Sequence, residues 1–212
     1  MIDLPASTKV NRFLAKEKFY SKTRMNSKLR KQFTDEIEKI IWTNKISPET
    51  LNIAASEYQE LQVFDIYLKG ADISLSVLKH IDSCIPYPIL FIAYKSDEQK
   101  AVIAHKEASL KVADTMKVDI YFDTGWQQKL NLELKGRSVD EIYKNYIFQI
   151  EPELHTTEQT DTKSAIEVIK VKKSLKSQIE ALNKKMRAEP SIGKKQELAR
   201  QRFALEEKLN GL

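Results

Sequence analysis

Asp119 and Asp123 lie along one alternating apolar run, and Glu133-Leu134-Lys135 lies in the next. Carboxylates and a lysine at this spacing could hold a divalent cation and place a water for attack on a phosphodiester. Hard carboxylate oxygens suit Mg²⁺, and such an ion activates water and stabilises the phosphate as it is attacked. If Leu130–Leu134 is a strand, alternation puts Glu133 and Lys135 on one face, as that chemistry requires. Against this, D-x₉-E-x-K is a short pattern, and a chain that is 31% charged generates it by chance. The expectation is therefore that Asp119, Asp123, Glu133 and Lys135 are solvent-side charges of a half-exposed hairpin.

No other constellation names a reaction. His80, His105 and His155 are scattered, so a zinc site has almost no support. The five glycines form no phosphate-cradling loop, and no serine stands in a G-x-S-x-G elbow. Cys84, within Ile81-Asp82-Ser83-Cys84-Ile85, reads as a buried small hydrophobe. Trp42 and Trp126 read as packing groups. No metal and no cofactor is expected.

The elements that would position these residues follow from periodicity. Asn26-Ser27 reads as an N-cap, and Leu29, Phe33, Ile37, Ile40 and Ile41 keep one helical face up to Trp42. Ser47-Pro48 starts a second, short helical turn. Leu61–Leu68 alternates like a strand, Leu75–Ile85 is helical, and the continuous apolar run Pro88–Tyr94 is a strand covered on both faces. Lys100–His105 is its hairpin partner, and Val118–Phe122 with Leu130–Leu134 forms a second hairpin around Asp123-Thr124-Gly125. Ser138 and Glu141 make a capping box for a helix carrying Ile142, Tyr143, Tyr146, Ile147 and Ile150. The fold class is α+β: a mostly antiparallel sheet of about five strands backed by helices. The expected core includes Phe33, Ile37, Ile40, Phe64, Ile66, Leu78, Leu90, Ile92, Val102, Ile120, Leu132, Ile142 and Ile147.

From Val168, apolar residues recur at Val171, Leu175, Ile179, Leu182 and Met186, then pause at Glu189-Pro190-Ser191-Ile192-Gly193 and resume at Leu198, Leu205, Leu209 and Leu212. That rhythm predicts an antiparallel two-helix coiled-coil hairpin turning at Pro190–Gly193. The organisation is thus a body at 1–155, a Thr- and acid-rich linker at 156–162, and a helical arm at 163–212. The arm is the expected partner-binding element, through Val171, Leu175, Ile179, Leu182 and Met186.

Charge is unevenly spread. Residues 1–32 carry nine Lys/Arg against two acids, and residues 163–212 carry thirteen against six, +7 in each case. The remaining 13 bases and 22 acids leave the middle at −9, so an acidic body lies between two basic ends. Basic ends meet phosphates or acidic protein surfaces. For nucleic acid the first candidates are Lys16, Lys18, Lys22, Arg24, Lys28, Arg30 and Lys31, with Lys172, Lys173, Lys176, Lys184 and Lys185 on the arm. One cysteine excludes an intrachain disulfide. The start of the chain lacks a signal-peptide pattern, and no apolar run approaches the ~20 residues of a membrane span. A cytoplasmic protein that does not enter the membrane is expected.

Five stretches together resemble a bacterial family, the domain of unknown function 4391. They are Ser27-Lys28-Leu29-Arg30-x-x-Phe33; the Ile-x-x-Ile-x-Trp pattern ending near Trp42; Lys45 to Ile53; Ile85 to Phe91; and Leu134 to Tyr143. The likeness runs over nearly the whole chain. Genes of that family tend to sit beside helicases and DNA methyltransferases of restriction or phage-defence loci. The resemblance therefore implies a non-enzymatic accessory subunit of such an assembly, meeting a helicase or methyltransferase subunit, or a second copy, through the arm. It carries over no catalytic residue. The alternative is a metal-dependent nuclease of the restriction-endonuclease-like type, using Asp123 (or Asp119), Glu133 and Lys135. That fold needs a strand after the 138–150 helix, and none is visible.

Overall fold

The computed structural model describes residues 2–22, 25–108, 116–154 and 162–212. The chain forms two compact units, one up to Pro152 and one from Glu153. The first is a six-stranded sheet: β1 (Lys9–Leu14), β2 (Ile37–Ile46), β3 (Leu61–Leu68), β4 (Ile89–Lys95), β5 (Glu98–Ala108) and β6 (Met116–Asp123). The strands lie side by side in chain order, antiparallel except for the β3–β4 pair. Antiparallel neighbours need only a tight turn, and Ser96, at φ 50°, supplies the left-handed residue of the β4–β5 turn. The parallel pair needs a crossover, which α4 (Leu75–Ser83) provides.

One face of the sheet is covered by α1 (Glu17–Lys22), α2 (Ser27–Glu36) and α4. Phe19, Phe33, Val77, Leu78 and Ile81 there meet Ile37, Ile40, Phe64, Ile66 and Phe91 of the strands. On the other face, α5 (Val139–Ile150) packs on β5 and β6 with Ile142, Tyr143, Tyr146 and Ile147 turned inward. Covering on both faces explains why Leu90, Phe91 and Ile92 follow one another with at most 1% exposure. Each such side chain contributes about 1.5–3 kcal/mol on burial.

Local signals set the element ends. Asn26 Oδ1 accepts the Leu29 N–H at 2.8 Å and starts α2. Ser47 and Thr50 form a reciprocal capping box around α3 (Pro48–Leu51). Ser138 Oγ accepts the Glu141 N–H at 3.1 Å, while the Glu141 carboxylate reaches back to the Arg137 N–H at 2.8 Å. Gly136, at φ 140°, makes the turn before α5; a Cβ there would lie 2.8 Å from the Ile142 nitrogen.

Three expectations need correction. The first helix stops at Glu36, and Ile37–Ile46 is a strand, because β-branched residues suit the pleated surface. A sixth strand, β1, forms within the basic stretch at 1–32, where the periodicity predicts no strand. The Leu130–Leu134 segment joins no ladder and forms no strand. The Glu133 backbone is held by α5 instead: Gln149 accepts its N–H at 2.8 Å and donates to its carbonyl at 2.9 Å. Asn145 donates to the Lys135 carbonyl at 2.9 Å. Leu130 and Leu132 are nonetheless buried, at 4% and 7% exposure. Of the expected core, only Ile120 is half-buried rather than buried.

The second unit holds α6 (Thr162–Ala188) and α7 (Ile192–Asn210), packed against each other. The break falls at Glu189-Pro190-Ser191, as the Pro-Gly punctuation predicts. Residues 155–161, most of the expected linker, lie outside the described residues. No helix among the described residues is long and apolar enough to cross a membrane.

Candidate functional site

The structure separates the charged residues of the candidate cutting site. Asp119 lies 3.4 Å from His105, carboxylate to Nδ1. Asp123 accepts the Gly125 N–H at 3.0 Å, an Asx turn closing β6. Glu133 and Lys135 meet each other at 2.6 Å, but at 68% and 64% side-chain exposure. The hydrogen bond from Lys135 holds the Glu133 carboxyl below its usual range. Among the described residues, no three of His, Cys, Asp and Glu stand where they could share a metal ion. The strand that was to align Glu133 with Lys135 is absent, so this is an exposed ion pair of small energetic weight. His80 is buried, its Nε2 2.8 Å from the Phe19 carbonyl oxygen, and His155 lies outside the described residues.

The strongest buried polar cluster escapes a sequence reading. Lys106 of β5 and Asp82 of α4 form an ion pair at 2.8 Å with 1% and 0% side-chain exposure. Lys106 also donates to the Tyr87 carbonyl at 2.8 Å, and the Tyr121 hydroxyl donates to Asp82. Burial pushes the Asp82 carboxyl up, against the lowering influence of Lys106 and Tyr121. Tyr143 accepts the Lys106 N–H at 3.0 Å and Tyr58 donates to the Lys106 carbonyl at 3.0 Å, so α5 and the 52–60 loop are tied to the same residue. The visible signal was an acid four residues after Leu78, on the apolar stripe of its helix. Sealed from solvent, the cluster clamps α4 to β5 and β6.

A second buried acid, Asp65 on β3, is 6% exposed and accepts a hydrogen bond from Tyr94. Burial pushes its carboxyl up to about 6, with the Tyr94 bond acting in the opposite direction. Tyr94 stacks on Tyr67 with ring centroids 4.9 Å apart, and the Lys39 ammonium sits 4.1 Å from the Tyr67 ring centroid.

The basic candidates divide by role. Lys16 donates into the Ile37 carbonyl, and burial lowers its pKa from the usual lysine value, which marks a structural lysine. Lys18, Lys28, Arg30 and Lys31 are exposed on α1 and α2, with Arg30 over the Tyr20 ring at 5.0 Å. The Lys22 side chain and all of Arg24 lie outside the described residues. On α6, Lys172 is 3.7 Å from Glu153 and Lys184 is 2.9 Å from Glu180. Lys173 is half-buried, and Lys176 and Lys185 are exposed.

Two concavities among the described residues bear on binding. A cleft of about 310 Å³ in the body is walled by Phe19, Trp42, Phe64, Ile85 and Tyr87. Glu60, also in its wall, is engaged by Gln62 at 2.6 Å and Lys45 at 3.4 Å, which leaves a mainly apolar surface. On the arm, Leu175 is buried, Ile179, Leu182 and Met186 are half-buried, and Val171 is 45% exposed. None of the 19 residues of α7 is buried, and Ile192 and Phe203 are 76% and 59% exposed. A groove of about 460 Å³ runs between the two helices, with Ala181, Leu182, Ala204 and Leu205 in its floor and Lys185 and Gln201 on its banks.

The model of one protein family, Domain of unknown function (DUF4391), matches residues 2–209. No curated protein matches the chain, and no solved structure does.

Proposed function

The chain belongs to this family of unknown function, and we propose that it works as a non-enzymatic interaction subunit whose helical arm grips a protein partner. The observation that carries this reading is α7. It is 19 residues long without one buried side chain. In proteins most of a helix's stability comes from packing one of its faces against a neighbour. Contact with α6 covers part of that face, and a partner would cover more. The assembly we propose is the DNA-restriction or phage-defence type that the family resemblance implies, with a helicase or methyltransferase subunit as partner. Contact with nucleic acid through exposed Lys18, Lys28, Arg30 and Lys31 is a subsidiary part of the proposal.

The test is affinity capture from cells of the source organism with the full chain and with a chain ending at residue 162, each checked for folding by circular dichroism. Loss of the captured partner on truncation supports the reading; retention of it refutes the arm as the interface. For the nucleic-acid part, a gel shift with duplex DNA at rising salt is decisive. Each neutralised phosphate contributes about 0.9 to the log–log slope, and the absence of a shift at low salt removes this part.

A further inference from the structure

We infer that the groove between α6 and α7 receives an acidic amphipathic helix of another protein, an inference that rests on the arm being the interaction element. The floor is apolar, and two of its residues, Ala181 and Ala204, are exposed side chains without reach. A third helix could approach there to the 8–10 Å separation of packed helices. The stretch from Gln178 to Lys185 spans about 10 Å, or two turns. That length matches an apolar stripe at i, i+3 or i+4, and i+7 on an incoming helix.

The charge around the groove selects the partner. Residues 163–212 hold thirteen bases and six acids. Three of those acids already pair with a base in their own helix: Glu167 with Lys170, Glu180 with Lys184, and Glu206 with Arg202. Lys185 stands on the α6 bank. Lys194 and Lys208, seven residues either side of Gln201, repeat its position along α7. Glu197 shares that bank, but its carboxylate accepts from Gln201 at 3.3 Å. The arm of a second copy would bring +7 against +7 and be repelled. Duplex DNA satisfies the bases but leaves the Ala and Leu floor facing phosphate. An acidic helix with an apolar stripe answers both features.

The experiment uses the full chain and three fluorescein-labelled peptides of about 18 residues, long enough to form helix on binding. One carries a leucine stripe with glutamate elsewhere, one has the same acidic composition with the stripe scrambled, and one keeps the stripe with lysine for glutamate. Fluorescence anisotropy is expected to show binding of the first alone, weakening about tenfold as salt screens the charges. Ala181→Gln with Ala204→Gln fills the groove while keeping good helix formers, and is expected to weaken binding at least tenfold. Lys185→Glu with Lys208→Glu is expected to shift preference towards the lysine peptide. The inference is overturned if the scrambled acidic peptide binds equally, or if the groove variant binds unchanged. It also falls if sedimentation velocity shows a dimer that the groove variant dissociates, or if duplex DNA is the ligand that variant loses. A cell-derived partner that is lost on truncation at 162 but kept by the groove variant defeats the groove alone; one kept after truncation defeats the arm.

Discussion

Lys106→Met is expected to be among the most destabilising single changes in the body. The ammonium lies 2.8 Å from the Asp82 carboxylate, with both side chains essentially sealed. At an effective dielectric constant near 20 the attraction lost is about 6 kcal/mol. Release from lysine's own desolvation offsets part of it, and breaking a buried pair from one side leaves a net loss of about 3–5 kcal/mol. In urea, with a slope of about 2 kcal/mol/M for a domain of this size, the midpoint falls by about 2 M. Trp42 and Trp126 are the only tryptophans and both lie in the body, so their fluorescence follows this unit alone. Asp82→Asn combined with Lys106→Met removes both charges and is expected to recover about half of the loss. About 1–3 kcal/mol remains, because the Tyr87 carbonyl has lost its donor. The pH dependence has a definite sign. Burial already raises the Asp82 carboxyl, and the variant lacks the lysine that lowered it. A carboxyl raised in the folded state favours folding when protonated, so the deficit of Lys106→Met shrinks on going from pH 7 to pH 4. A loss below about 1 kcal/mol, or a double variant as weak as the sum of the singles, refutes the reasoning.

Asp65→Asn removes a carboxyl raised from 3.8 to about 6. The wild type loses stability as pH rises through that window, by about 3 kcal/mol at 1.36 kcal/mol per unit. The variant is therefore expected to melt higher than wild type at pH 8 and alike at pH 4, whereas an equal difference at both pH values counts against the assignment. Gly136→Ala, at φ 140° with Ile142 in the way, is expected to lower the urea midpoint by the equivalent of more than about 1 kcal/mol; an unchanged midpoint shows that the turn relaxes. Glu133→Ala touches an exposed pair and is expected to leave the urea midpoint unchanged. Plasmid nicking with Mg²⁺ is expected to be equal in wild type and variant, and a nicking activity lost with Glu133 would restore the metal-site reading.

The misread stretch at the start of β2 shows how a fold can disguise itself. Ile37 and Ile40 are three apart, which is helix spacing, yet both sit in a strand at 0% exposure. A bulge between Ile37 and Lys39 inserts one residue into the ladder. It returns both side chains to the same face, so the strand mimics a helical period. Leu130 and Leu132 misled in the opposite sense: their alternation is real and buried, but the amide of Gln149 stands in for the neighbouring strand. The Pro88–Tyr94 run, the caps at Asn26, Ser47 and Ser138, and the break near Pro190 were legible because their causes are local. The Asp82–Lys106 pair was not, since 24 residues separate partners that only the topology brings together.

The outer position of β1 bears on how this protein can associate. Among the described residues it pairs with β2 alone, and its other side joins no described strand. A straight edge of that kind is a template on which strands from other chains add and fibres grow. Here the ladder shifts register between Lys9 and Arg12, and Asn11 takes a left-handed φ of 47°. Lys9 and Arg12, both exposed, add charge on either side of the irregularity. The row of N–H and C=O groups is thus bent and flanked by cations, and an incoming strand finds no register to continue. Sheet extension is disfavoured at this margin.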